Sequence, residues 1–196
     1  MKKFIFIALI VGLCACSKGN DLGQSIWVYD PNNTDLPAYS EWGYNTFGAY
    51  YDRAPFVSNT QTPATILISN DTLIFNLKGV LLSGGVQDMT LTFRIVKPDW
   101  NINTYPDLVS LNQTNFDLTQ PNCQVSFRSQ SGEDTLKLTS GNLQFKRAQH
   151  LFVDGQSVET ILSGVFAFSS TQNSDILPVT DGRFDVGIGT QNFASQ

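Results

Sequence analysis

Carboxylates are the side chains of this sequence best suited to acid–base chemistry, and Asp181 and Asp185 flank Arg183 near the carboxyl end. On a regular strand the three share a face, and four residues at ~3.3 Å each put the two acids' Cα atoms about 13 Å apart. A retaining glycosidase needs its carboxyl groups about 5.5 Å apart. The spacing therefore reads as a charge ladder with Arg183. His150 is the only histidine. Without a second histidine or a cysteine pair, zinc sites of the usual composition cannot form. No G-x-S-x-G marks a serine nucleophile, and Gly187-Ile188-Gly189 opens no helix that would cradle a phosphate. The expectation is a non-enzyme with no catalytic residue, no metal and no cofactor.

Binding has more material. Aromatics crowd residues 39–56, and Trp42, Tyr44 and Tyr50 there, with Trp100 and Tyr105 further on, are candidates for stacking on a sugar ring or lining an apolar pocket. The competing role for the same rings is to close the open end of a core. Asp30-Pro31-Asn32-Asn33-Thr34-Asp35 spaces its oxygens like the start of a calcium loop. It lacks the glycine at the sixth place, where Asp35 stands. An Asx-Pro turn accounts for it.

One cysteine carries a different chemistry. Lys2 and Lys3 precede an apolar run over residues 4–13, and Leu13-Cys14-Ala15-Cys16 follows. The charged start and short apolar run match a secretory signal, at half the ~20 residues a spanning helix needs. The tetrapeptide resembles the bacterial lipobox, which implies cleavage between Ala15 and Cys16 and acylation of Cys16. One acyl chain holds a protein to a membrane only marginally, whereas two or more anchor it stably. No aspartate follows Cys16 directly, at the position that resembles an inner-membrane retention signal, so outer-membrane attachment is expected, with the domain facing either the periplasm or the outside. Cleavage leaves 181 residues with ten basic against seventeen acidic side chains, a net charge of −7 that disfavours nucleic acid. It also leaves Cys123 alone, so no intrachain disulfide can form, and its place beside Val125 and Phe127 reads as a small buried hydrophobe.

The elements that must position these groups follow from a period of two. Leu73, Phe75 and Leu77 alternate with polar residues, as do Met89, Leu91, Phe93 and Ile95; Val125 and Phe127; Leu143 and Phe145; and Phe184, Val186 and Ile188. These are half-buried antiparallel strands, separated by turn residues such as Ser83-Gly84-Gly85 and Asp154-Gly155. Residues 98–120 are polar and read as a loop with a short strand. The expected class is all-β, an antiparallel β-sandwich of about seven to ten strands, with a lipocalin-like closed barrel as the alternative. The expected organisation is a signal peptide over 1–15, a lipid-anchored tether over 16–45, an all-β domain over 46–190 and a tail over 191–196.

Three stretches resemble a family of uncharacterised lipoproteins from Bacteroidota. They are Asn45-Thr46-Phe47-Gly48-Ala49-Tyr50 with Tyr51-Asp52-Arg53-Ala54-Pro55-Phe56, Ser163-Gly164-Val165-Phe166-Ala167-Phe168, and Val179-Thr180-Asp181-Gly182-Arg183-Phe184-Asp185-Val186. Relatives carry a pair ending in glycine where Arg53-Ala54 stands here. The resemblance implies a compact β domain behind a lipid anchor and brings no activity with it. Asp71-Thr72-Leu73 and Asp134-Thr135-Leu136 resemble the O-glycosylation acceptor of the same bacteria, making Thr72 and Thr135 candidate modification sites.

The functional expectation is a lipid-anchored envelope lipoprotein whose non-enzymatic domain binds a protein, small molecule or glycan. The alternatives are a structural or assembly component of an envelope complex and, further off, a carboxylate-dependent hydrolase.

Overall fold

A computed structural model describes residues 24–98, 100–172 and 175–196, with residue 172 described by its backbone alone. Ala15 and Cys16 lie outside the described residues. The strands are β1 (Thr46–Tyr51), β2 (Ala54–Ser58), β3 (Ala64–Ser69), β4 (Thr72–Leu82), β5 (Val86–Val96), β6 (Thr114–Asp117), β7 (Cys123–Ser129), β8 (Gly132–Thr135), β9 (Lys137–Val153), β10 (Gln156–Gln172), β11 (Asp175–Ile188) and β12 (Phe193–Ser195). A short 3-10 helix, Tyr105–Leu111, precedes β6.

Along the hydrogen-bonded path the order is β6-β9-β10-β11-β1-β2-β4-β5-β7-β8. The path turns a corner at β2, which holds only Gly79, Val80 and Leu81 of β4. The rest of that edge, Thr72 to Leu77, belongs to β3. Beyond the fork the sheet folds back on itself. Phe75 of β4 meets Phe145 of β9 and Phe184 of β11 at ring-centroid distances of 5.6 and 5.2 Å, and Phe93 of β5 meets Phe166 of β10 at 5.3 Å. These pairs come from strands far apart in the sheet order, so they mark two layers face to face. Each fully buried ring contributes about 1.5–3 kcal/mol by leaving water, and the tilted and edge-on pairings add to that.

The expected class is the observed one, an antiparallel β-sandwich whose end strands β6 and β8 do not meet to close a barrel. The strand number is higher than expected, twelve among the described residues. The extra strands are short ones without alternation: β8, Gly132–Thr135, is exposed at every position. The polar stretch 98–120 contains the expected short strand, β6, and also the helix, whose Leu108 and Leu111 are buried.

The tail expected over 191–196 is instead part of the sheet. β12 pairs parallel with β3, placing Phe193 opposite Ile66. The buried Asn192 side chain accepts from Gly189 N at 2.8 Å and donates to Ala64 O and Gly187 O at 3.0 and 2.9 Å. That amide bridges β11 to the start of β3, which is why so short a strand stays in place.

The β1–β2 turn is made by Asp52 and Arg53, at φ of 45° and 70°. A two-residue hairpin turn with both central residues left-handed matches the twist of its strands and favours glycine at the second place. An ordinary residue there costs roughly 1–2 kcal/mol. Arg53→Gly is expected to raise the melting temperature by about 2 °C, after glycine's greater unfolded-state freedom is subtracted. A melt that falls instead would mean Arg53 makes a compensating contact.

Candidate functional site

Residues 25–45 are laid as a strap across the outer face of β11, β1, β2 and β4, so the tether expected over 16–45 is docked from Ser25 onward. Ser25 Oγ donates to Asn45 O at 3.0 Å and Ile26 N to Tyr44 O at 2.8 Å. The strap's turn is the Asx turn: Asp30 accepts Asn32 N at 2.9 Å and Asn33 Nδ2 at 3.1 Å. The same carboxylate pairs with the Arg183 guanidinium. The Asn32 N–H, the Asn33 amide and Arg183 together hold Asp30 well below the usual carboxylate range, at about 2. Beyond the turn, Leu36 is buried with Val57 and Val80, and Trp27 and Tyr50 pack against them. Gly48 makes room for this layer, since a Cβ there would run into Pro37 and Leu36.

The strap's far end is held by Asp185, which is 2% exposed. Its carboxylate accepts Gly43 N at 2.8 Å, Trp42 N and Tyr44 N at 3.1 Å each, Ser163 Oγ at 2.8 Å, and the Ser40 hydroxyl. The charge ladder expected for Asp181, Arg183 and Asp185 is therefore not formed. Arg183 and Asp185 do share the outer face, but the strap covers it and supplies each with a different partner. Arg183 Nε also donates to the Asp181 carbonyl at 3.0 Å, while the Asp181 side chain stays exposed. With both oxygens of Asp185 taken, the two acids make no catalytic pair.

Beside this anchor, Glu41 accepts from Arg147 at 3.0 Å and from Tyr39 Oη at 2.9 Å. Arg147, and then the Tyr39 hydroxyl, hold the Glu41 carboxyl below its ordinary value. Burial and the Glu41 carboxylate push the Tyr39 phenol up. Gln149 Nε2 donates to Glu41 O at 3.0 Å. The loop carrying Trp42 is thus fixed on both flanks, and Trp42 is 72% exposed.

A second feature is a cleft where Lys97, Trp100 and Asn101 stand beside edge strand β6. Thr104 and Asp107 form a reciprocal cap, with Asp107 accepting Asn103 N, Thr104 N and Thr104 Oγ1 at 2.8–3.0 Å. The capped helix buries Leu108 and Leu111 and so fixes the segment that follows Trp100. Trp100 is half-buried against the core, 6.3 Å from Phe116 of β6, and the Lys97 ammonium stands 5.0 Å from its ring centroid. Around these rings lies a cavity of about 490 Å³, lined also by Asn101, Ser110, Thr114 and Asn115. Asn101 and Asn115 are exposed, with no side-chain partner among the described residues. Trp100 Nε1 is buried with no hydrogen-bond partner among the described residues. An aromatic floor beside free amides and one cation suits a ligand with a flat apolar face and a hydroxylated rim.

The structure thus splits the five candidate aromatics. Trp42, Tyr44 and Tyr50 belong to the strap and the strand beneath it; Tyr44 and Tyr50 are half-buried. Trp100 lines the cleft. Tyr105 packs on the core and donates to Ser157 O at 2.8 Å. Phe47 and Phe56 from the same aromatic-rich stretch are wholly buried, in the core-closing role. Thr135 is exposed on edge strand β8 and accepts from Gln124 Nε2 at 3.3 Å, while Thr72 is half-buried at the start of β4. Cys123 is half-buried against the core, and burial pushes its thiol up. His150 Nδ1 is buried with no hydrogen-bond partner among the described residues, its ring edge-on to Phe152. Burial pushes the Glu159 carboxyl up; it lies over Gly187 and receives Gln191 Nε2 at 3.4 Å.

Sequence reasoning missed Phe116 and Lys97 as cleft residues, and Asp185 as the strap's anchor. A signal existed for the helix behind the cleft: Thr104 and Asp107 at capping-box spacing, with Pro106 in the first turn. Among the described residues no group of three or more His, Cys, Asp or Glu is placed to hold a metal ion. No family model, no curated protein and no solved structure matches this chain.

Proposed function

We propose that this chain is a cell-envelope lipoprotein, held at the outer membrane through acyl chains on Cys16, whose β domain binds a glycan and performs no catalysis. The leader and the lipobox support the anchor. The observation that carries the binding role is the Trp100–Phe116 cleft, where aromatic faces and unpaired amides stand side by side. The core is filled by phenylalanine rings meeting across both layers, so a ligand binds on the outside of the sandwich. Sugar rings suit such a cleft because their C–H faces stack on indole while their hydroxyls reach the rim.

Intrinsic tryptophan emission, titrated with a panel of envelope and host glycan fragments, tests this. At least one glycan should shift the emission, and Trp100→Ala, followed by titration calorimetry because it removes the reporting indole, should weaken that binding by about thirtyfold, the equivalent of a stacking residue worth roughly 2 kcal/mol. Asn115→Ala, at an exposed position, should weaken it by a smaller factor with no change in melting temperature. A panel without any response, or equal affinity in wild type and both variants, overturns the glycan reading.

A further inference from the structure

Nine large apolar side chains among the described residues are exposed, and four of them, Ile26, Val28, Tyr29 and Trp42, come from the strap. The other five sit at strand ends and hairpin tips: Leu82 and Val86 about the β4–β5 turn, Val96, Phe152 and Ile176. Only the strap concentrates them. Within it Trp27 turns inward onto Leu36, Val57 and Val80, which leaves Ile26 and Val28 facing out, 48% and 44% exposed. Ile26 is bonded to Tyr44, two residues from Trp42. Three consecutive backbone N–H groups, those of Trp42, Gly43 and Tyr44, are tied to Asp185. A Trp side chain is therefore presented to solvent from a backbone held by a buried carboxylate, so little ordering is left to be done when it meets a surface.

We propose that this strap face seats on the lipid surface that carries the acylated Cys16. The inference rests on the lipid-anchor reading above. Cys16 is ten residues from Ile26, a span of at most about 33 Å when extended and nearer 17 Å as a coil. The strap is where the anchor enters the domain, so it is the face brought to the bilayer. Trp and Tyr are the side chains that settle at the headgroup level, with an apolar body and a polar edge. Docking from Ser25 onward replaces a long free tether by a short leash, and the domain rests against the membrane instead of standing off it.

The test uses the full chain purified with its acyl chains, confirmed by intact mass, and reconstituted in phosphatidylethanolamine vesicles containing lipids brominated along the acyl chain. Emission should be quenched in the wild type, and Trp42→Ala, an exposed position, should lose that quenching while keeping its melting temperature. An acylated protein whose quenching is the same in wild type and variant overturns the seating and leaves the anchor intact. So does a Trp42-dependent dimer seen by sedimentation, which would make a second copy the occupant. A mature chain without acyl mass on Cys16 overturns both.

Discussion

Asp185→Ala should lower the unfolding free energy by about 3–5 kcal/mol, because it leaves several donors without their shared acceptor and a buried donor so stranded costs roughly 1–3 kcal/mol. The carboxylate takes hydrogen bonds from three strap N–H groups, from Ser40 and from Ser163. Alanine leaves the Ser163 hydroxyl buried without an acceptor, and each such loss costs roughly 1–3 kcal/mol. Asp185→Asn keeps the shape but turns one acceptor into a donor facing other donors, so it should recover only part of the loss. Urea unfolding followed by tryptophan emission gives the free energies, and limited proteolysis shows whether residues 25–45 come loose first. Asp181→Asn is the control. That side chain is exposed and asparagine tolerates the φ of 55° at this position, so the change should stay within about 0.5 kcal/mol. Equal effects at 181 and 185 would show that the strap is held by its apolar contacts alone.

Gly164→Val should be nearly as severe, at about 3 kcal/mol or more. Strand glycine weakens a sheet unless a bulge or a close backbone approach requires it, and Gly164 has both. The β9–β10 register shifts between Ser163 and Gly164. A Cβ at this position would overlap the Gln144 carbonyl oxygen and the Phe184 ring. Neither can yield cheaply, because one is backbone of β9, paired on both sides at Gln144, and the other is buried among Phe75 and Phe145. In a domain of this size that loss corresponds to a melting temperature lower by about 6–12 °C. Ala167→Val, at an exposed position of the same strand, should leave the melt nearly unchanged. A Gly164→Val protein as stable as wild type would mean that the two layers repack freely around this point.

What could be read in the sequence was whatever alternates. Leu73, Phe75 and Leu77, Met89 through Ile95 by twos, Val125 and Phe127, Leu143 and Phe145, and Phe184 through Ile188 by twos are all buried. Periodicity reports which face a side chain takes, and it placed Arg183 and Asp185 correctly on the face opposite Phe184. It could not report that a later layer covers that face. The strap has no period of its own, because its backbone is satisfied by an Asx turn, a bridge between Tyr29 and Pro37, and one distant carboxylate. The same limit hid β12, whose three residues stay in the sheet through Asn192. The cleft was half legible: Trp100 was a candidate, but Phe116 came from a strand whose four residues gave no pattern.

The closing strand has a bearing on biogenesis. β1 finds its partner in β11, with Thr46 opposite Asp185, and β3 waits for residues 193–195. Loops that long close slowly, and their contacts repay the entropy only once both ends are present. A polypeptide wired in this way cannot complete its sheet until residues 175–195 are available, so its two layers close together at the end of folding and not strand by strand.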